Sequence, residues 1–316
     1  MNRRHFIGLA LAAGLARPAL AQQPQRLTLI LDWFVNPDHG PLFVAQEVGY
    51  FRDAGLAIEL VPPSDPADPP RLVAAGRADL AITYQPQLVV AAADGIPLVR
   101  IATLVDTPLN ILMVLADGPV QRIADLRGKR VGFSIGGFED GILKAMFERN
   151  GISLRDVTLV NVNFQLSQSL LAGQVDAVIG AYRNFELNQM AIQGRPARAF
   201  YPELEGVPAF DELIVVANRS NAQAPWLRRF TDAVERATLY MVNQPDEAWR
   251  LFIRGRDTLN DELNRRAWRD TWPRFSRTPA ALDRGRWQRF AQFMQTQGLI
   301  RQIPPLESYA IEPAVQ

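Results

Sequence analysis

The sequence predicts an α/β protein of two similar lobes, each a sheet covered by helices, with a helical tail packing back on the first lobe. Three observations carry this. From about residue 26 to about residue 201, apolar strand-like runs alternate with amphipathic stretches that often end at Gly, the pattern of helix-covered parallel sheets. A weak internal echo follows: "RLVAAGRADLAI" (71–82) resembles "SLLAGQVDAVIG" (169–180), aligning Gly76 with Gly173 and Asp79 with Asp176. "FRDAGLAIELV" and "FERNGISLRDVTLV" repeat the match through Gly55 and Gly151 at nearly the same offset. Each echo reads as a helix closed by a left-handed Gly and followed by an apolar strand. After Asn218 the period changes: Leu227, Phe230, Val234, Ala237 and Met241 fall at helical spacing, Pro245 starts another helix, and 280–297 reads as a third.

Taken in order, the chain opens on "MNRRHFIGLALAAGLARPALA", a basic start, an apolar run from Phe6 to Ala16 and a small-x-small site at Ala19-Leu20-Ala21. This predicts an export signal over residues 1–21, of twin-arginine type (Arg3-Arg4) or of the general secretory type, and hence a periplasmic protein. Strands are expected at 26–31, 57–61, 79–83, 98–104, 110–115, 130–134, 157–162, 175–180 and 211–217. Lobe 1 is expected to comprise 22–108 with 213–316, and lobe 2 to comprise 109–212. No later segment is long and apolar enough to be read as a membrane span.

Composition narrows the function. The 316 residues include no Cys and two His, of which His5 falls in the leader. Thiol catalysis and Cys-ligated metal are excluded, and His39 alone is a poor basis for a zinc enzyme or a Ser-His-Asp hydrolase. Lys129 and Lys144 are the only lysines, which leaves few Schiff-base candidates. Of 34 basic residues, cleavage after Ala21 would remove Arg3, Arg4 and Arg17, leaving 31 against 33 acids, a net charge of −2. Nothing here resembles a nucleic-acid patch.

Ligands of open α/β sheets bind beyond the carboxyl ends of strands, and four predicted strand ends are chemically rich. In "LDWFVNPDHGP", Trp33 and Phe34 offer flat apolar faces, and Asn36, Asp38 and His39 offer hydrogen bonds; a turn and helix cap is the plain alternative. In "TYQPQ", Tyr84 can stack and Gln85 can read an amide or amine edge. In "SIGGF", Gly136 and Gly137 let backbone N–H groups approach a ligand, but there is no P-loop pattern, and Glu139 and Asp140 discourage an anion. In "GAYRNFE", a helix begun at Tyr182 would put Tyr182 and Glu186 on one face, an aromatic ring beside a carboxylate. Arg183 is the one Arg in these loops.

The run from "LDWFVNPDHGPLFVAQEVGYFRDAGL" to "AITYQPQLV" resembles the N-terminal lobe of the family that contains periplasmic pyrimidine-precursor binding proteins and the yeast thiamine-pyrimidine synthase. The likeness covers most of 26–220. It implies a type II periplasmic-binding-protein fold of two Rossmann-like lobes that close on a thiamine precursor, with the permease of an ABC importer as partner. The binding-protein branch of that family implies a monomer with no cofactor, no nucleic-acid partner and no enzymatic activity. By the resemblance Trp33 and Tyr182 would stack on the ring, Asn36 and Glu186 would bind its polar edge, and Tyr84 and Gln85 would line the wall. The synthase branch uses pyridoxal phosphate on a lysine and a Cys-rich motif, which this chain lacks. Phe34-Val35 stands where pyrimidine binders often carry a polar residue, so another thiamine fragment or a flavin-like ring is an alternative ligand; related binders of alkanesulfonate or nitrate anions share the same lobes but need cationic or N–H-rich sites.

Overall fold

A computed structural model describes residues 23–314, so the predicted export signal, His5 included, lies outside the described residues. Two five-stranded sheets form the body. The first is ordered β2-β1-β3-β10-β4, from β1 (Gln25–Ile30), β2 (Leu56–Val61), β3 (Leu80–Thr83), β4 (Leu98–Val105) and β10 (Leu213–Asn218). The second is ordered β7-β6-β8-β5-β9, from β5 (Asn110–Leu115), β6 (Arg130–Phe133), β7 (Thr158–Asn161), β8 (Ala177–Tyr182) and β9 (Ala197–Phe200). The chain therefore crosses between sheets twice, from Val105 to Asn110 and from Phe200 to Leu213.

The sheets are mixed, not parallel throughout as the alternation predicts. β1 runs parallel to β2 and β3, and β6 to β7 and β8. β10 lies antiparallel between β3 and β4, and β5 antiparallel between β8 and β9. In each sheet the antiparallel inner strand is one that begins just after a crossing, so it enters from the cleft side. β9 is an edge strand in "RPARAF", whose polar character hides it from a hydrophobicity reading.

The internal echo has a structural counterpart. Gly76 and Gly173 take φ +68° and +66°. Three residues on, the Asp79 carboxylate accepts the Thr28 N–H at 2.8 Å and the Asp176 carboxylate accepts the Arg130 N–H at 2.9 Å. Each carboxylate pins the strand that opens its parallel trio, β1 or β6, against the strand that follows the acid.

The tail is helical, with helices Pro225–Asn243, Pro245–Ile253, Glu262–Thr271 and Arg284–Thr296. The apolar face of the first buries Leu227, Phe230, Val234, Ala237 and Met241. The last helix begins at Arg284, capped by Asp283, rather than at 280. The carbonyls of Pro279, Ala280 and Ala281 accept instead from Arg100, a fully buried guanidinium on β4 that also donates to Ile311 O. The tail packs on the first lobe and also reaches the second. Asp270 accepts from Asn188, and a Cβ on Gly141 would lie 2.6 Å from Leu299.

Candidate functional site

The two sheets point their cleft-side edges at one cavity. β1 delivers Asp32 and Trp33 at its carboxyl end. Asn36 then caps the short turn Pro37–His39, its Oδ1 accepting the Asp38 N–H at 2.8 Å. The Asn36 N–H donates to His39 Nδ1 at 3.2 Å, which fixes the imidazole tautomer with its proton on Nε2. That Nε2 donates to Asp32 Oδ1 at 2.9 Å, and the Tyr84 hydroxyl donates to Asp32 Oδ2 at 2.9 Å. Both oxygens of Asp32 are thus satisfied from behind and beside the cavity.

The second lobe faces this wall with Tyr182 at the end of β8, Phe185 and Glu186 after it, and Ser134, Phe138 and Glu139 after β6. β8 extends through Tyr182, and the helix starts at Glu186, not at Tyr182. The pair still meets: the Tyr182 N–H donates to Glu186 Oε2 at 2.7 Å. Glu139 Oε2 accepts the N–H groups of Ser134 and Ile135. Its approach requires Gly180, which has φ +92°; a methyl group on that Cα would fall 2.4 Å from Glu139 Oε1. Aromatic rings close the mouth across the lobes: Trp33 meets Phe164 edge-on at 4.6 Å, and Phe34 lies 5.9 Å from Phe185.

Of the sequence candidates, Trp33, Asn36, Tyr84, Tyr182 and Glu186 line the cavity. His39 and Gln85 do not. His39 is fully buried and orients Asp32. Gln85 accepts the Asp211 N–H through Oε1 at 2.7 Å and so seats the start of β10. Gly136 and Gly137 line a separate surface groove with Pro70 and Ile96, although Phe138 reaches both spaces. Arg183 turns away and forms an ion pair with Glu203 at 2.6 Å.

Two further lining residues, Asn110 and Glu212, escape a search of strand ends because they open strands. β5 and β10 run antiparallel to their neighbours, so their first residues sit beside the last residues of β8 and β3; Asn110 pairs with Tyr182 and Ile214 with Thr83. The available signal was an acid or amide heading an apolar run, "DELIVVA" and "NILMVL".

Electrostatically the cavity is acidic. Asp32, Asp38, Glu139, Glu186 and Glu212 line it, and among the described residues no Lys, Arg or His does. Burial pushes Glu186 and Glu212 up to about 7 and Asp38 up to about 6. Burial also raises the Tyr84 and Tyr182 hydroxyls well above their ordinary value, so both remain protonated donors. Such a site pairs aromatic faces with hydrogen-bond acceptors and offers an anion no counter-charge. Among the described residues no cluster of His, Cys, Asp and Glu has the arrangement to hold a metal ion, and no helix is long and apolar enough to cross a membrane.

Comparison with known proteins gives a consistent family. The sequence profile described as NMT1/THI5 like matches residues 36–248. A putative thiamine biosynthesis protein of Haemophilus influenzae is 47% identical over 308 residues, covering 97% of this chain and 98% of its own. A formylaminopyrimidine-binding protein of Halalkalibacterium halodurans is 36% identical over 241 residues, covering 76% of this chain and 73% of its own. Among solved structures, the alkanesulfonate-binding protein of Xanthomonas axonopodis pv. citri, bound to MOPS, superposes with a TM-score of 0.69 at 18% identity, covering 90% of this chain and 96% of that one. That likeness gives the fold: two α/β lobes of the periplasmic-binding-protein type with a helical tail.

Proposed function

The chain belongs to the NMT1/THI5-like family, and from that premise we propose that it is the solute-binding component of an ABC importer, taking up an aminopyrimidine precursor of thiamine. The lobes, 22–108 with 213–316 and 109–212, close on the ligand between them. The observation that carries the reading is the lining itself: Trp33, Tyr84 and Tyr182 around five carboxylates, with no cationic side chain among the described residues. An aminopyrimidine is flat and presents amine hydrogens at its edge. Stacking on Trp33 and Tyr182 buries its faces, and Glu186, held by the Tyr182 N–H, accepts from its amino group. Asn36 supports the same edge.

A sulfonate or nitrate fits poorly, because Arg183 is already paired and each lining carboxylate would repel it. A synthase is disfavoured for a related reason: neither Lys129 nor Lys144 borders the cavity, and the chain has no Cys. In this reading the export signal expected over residues 1–21 carries the mature protein to the periplasm, where it works as a monomer beside its permease.

The test is calorimetric titration of the mature chain, unfolded and refolded to strip carried-over ligand. Formylaminopyrimidine, hydroxymethylpyrimidine, thiamine, riboflavin and an alkanesulfonate are titrated in parallel. Micromolar or tighter binding of a pyrimidine alone is the expected result. Binding of only the flavin or the sulfonate would overturn the ligand assignment.

A further inference from the structure

We propose that Phe164 is a positioning residue for the binding cavity: from the second lobe it sets the plane of Trp33, and the left-handed turn at Asn163 aims it there. This role rests on the reading of Trp33 as a stacking face and adds the residue that holds that face in place.

Trp33 is carried by the first lobe, just after β1, and lines the cavity. Its indole nevertheless packs against the apolar cluster inside the second lobe, whose members include Val162 and Leu166; among the described residues no other first-lobe side chain does so. Phe164 of that lobe meets the indole at a centroid distance of 4.6 Å with the planes at 70°. In an edge-to-face pair the positive edge of one ring meets the negative face of the other, so the contact favours one orientation of the indole. Phe34 is a looser partner, at 5.7 Å and 52°, and is itself exposed.

The local sequence is built to deliver Phe164. β7 ends at Asn161, and a helix follows over Leu166–Leu171. Val162 and Leu166 are buried in the second lobe. Side chains alternate along extended backbone, so an extended residue 163 would return Phe164 to the face of Val162. Asn163 breaks that alternation with φ +51°, the only positive φ of a non-glycine among the described residues. Most side chains resist this conformation, and Asn is one of the few that tolerate it. The turn is braced on three sides. The Asn163 N–H donates to Asn161 Oδ1 at 2.9 Å, the Phe164 N–H donates to Asn163 Oδ1 at 2.8 Å, and the Ser134 hydroxyl donates to Asn163 O. Asn163 itself is exposed, so the turn fills no space in the core. What it accomplishes is the direction of Phe164. Ser134 also lines the cavity and donates its N–H to Glu139. A run of contacts through Glu139, Ser134, Asn163 and Phe164 therefore joins the second lobe's wall to the first lobe's stacking ring. A ring set in advance spares the ligand the cost of ordering it.

The experiment has two arms on the refolded mature chain. The first is calorimetric titration with an aminopyrimidine, comparing wild type with Phe164→Leu, Asn163→Val, Asn163→Gly, Trp33→Leu and the double variant Trp33→Leu, Phe164→Leu. Phe164→Leu keeps apolar bulk but removes the ring, and should weaken binding about three- to tenfold, the range of one aromatic pair. Asn163→Val disfavours the left-handed turn and should do the same, whereas Asn163→Gly keeps the turn and should stay within about twofold of wild type. In the Trp33→Leu background Phe164→Leu should have no further effect, because its action passes through Trp33. A purely structural role would persist in that background. The second arm needs no ligand. The chain carries six Trp, and 5-fluorotryptophan labelling gives each a fluorine resonance, that of Trp33 being the one missing from Trp33→Leu. It should shift or broaden in Phe164→Leu and in Asn163→Val, and stay in place in Asn163→Gly. Additive losses in the double variant, or an unmoved Trp33 resonance in Phe164→Leu, would overturn the positioning role while leaving the pyrimidine reading standing. A wild type that binds no pyrimidine would overturn that reading, and the fluorine arm would then decide the hold on Trp33 by itself.

Discussion

At the scale of single residues, the site is a set of buried carboxylates that differ in how they are satisfied. Asp32 receives donors on both oxygens from His39 and Tyr84. Glu186 receives the Tyr182 N–H, and its remaining capacity faces the cavity. Glu186→Gln replaces a carboxylate acceptor by a neutral amide and should weaken aminopyrimidine binding by about tenfold or more, in line with about 1.5–3 kcal/mol for a hydrogen bond to a charged group; calorimetry at fixed pH reads it, and unchanged affinity would remove Glu186 from the site. The same burial has a pH signature. Glu186 and Glu212 rise from 4.5 to about 7, so between those values the native state holds more protons than the unfolded chain. Stability of the ligand-free protein should therefore fall as pH rises from about 5 to 8. Thermal unfolding across that range checks the sign, and the double variant Glu186→Gln, Glu212→Gln should flatten the curve.

At the scale of elements, β4 shows how a buried cation serves architecture rather than chemistry. Arg100 sits in a strand that is buried along its whole length, and its guanidinium satisfies carbonyls at both ends of the tail's final segment. It also donates to Thr103, whose hydroxyl donates to Asp211, the neighbour of Glu212. Arg286 and Trp287 of the last helix meet the same Asp211 carboxylate. Arg100→Met keeps the volume but leaves those carbonyls buried and unpaired. It should lower unfolding free energy by about 3 kcal/mol or more, measured by urea denaturation. A loss below about 1 kcal/mol would show that water replaces the guanidinium.

At the scale of the whole molecule, a polar clasp joins the second lobe to the first and to the tail. Asn184 of the second lobe donates to Asp38 Oδ1 at 2.6 Å and to Thr271 Oγ1 of the tail at 2.6 Å, all three groups being buried. Asn184 does not itself line the cavity, so Asn184→Ala removes the clasp without deleting a lining side chain, at the cost of one donor to the lining Asp38. Affinity should drop by a similar factor for every ligand that binds, because the change acts chiefly on the closing equilibrium. Small-angle scattering should show a larger radius of gyration for the ligand-free variant. A ligand-dependent drop would place Asn184 in the site instead.

Much of this was legible in the chain itself. The strand runs read from apolar patterning each fall on a strand, and the Gly-x-x-Asp echo marked the two lobes because the same left-handed turn and strand-pinning carboxylate are needed in each. The aromatic and polar residues after β1, β3 and β8 were visible because these strands run toward the cleft and their loops carry the chemistry. The direction of β5 and β10 was not visible. Strand direction is set by which neighbours a strand joins after a crossing, and local propensity is blind to that choice. Those two reversals decided that Asn110 and Glu212 stand in the cavity. Likewise, burial from opposing elements, not local sequence, turned His39 and Gln85 into supports behind the wall and gave the five carboxylates one shared acidic space.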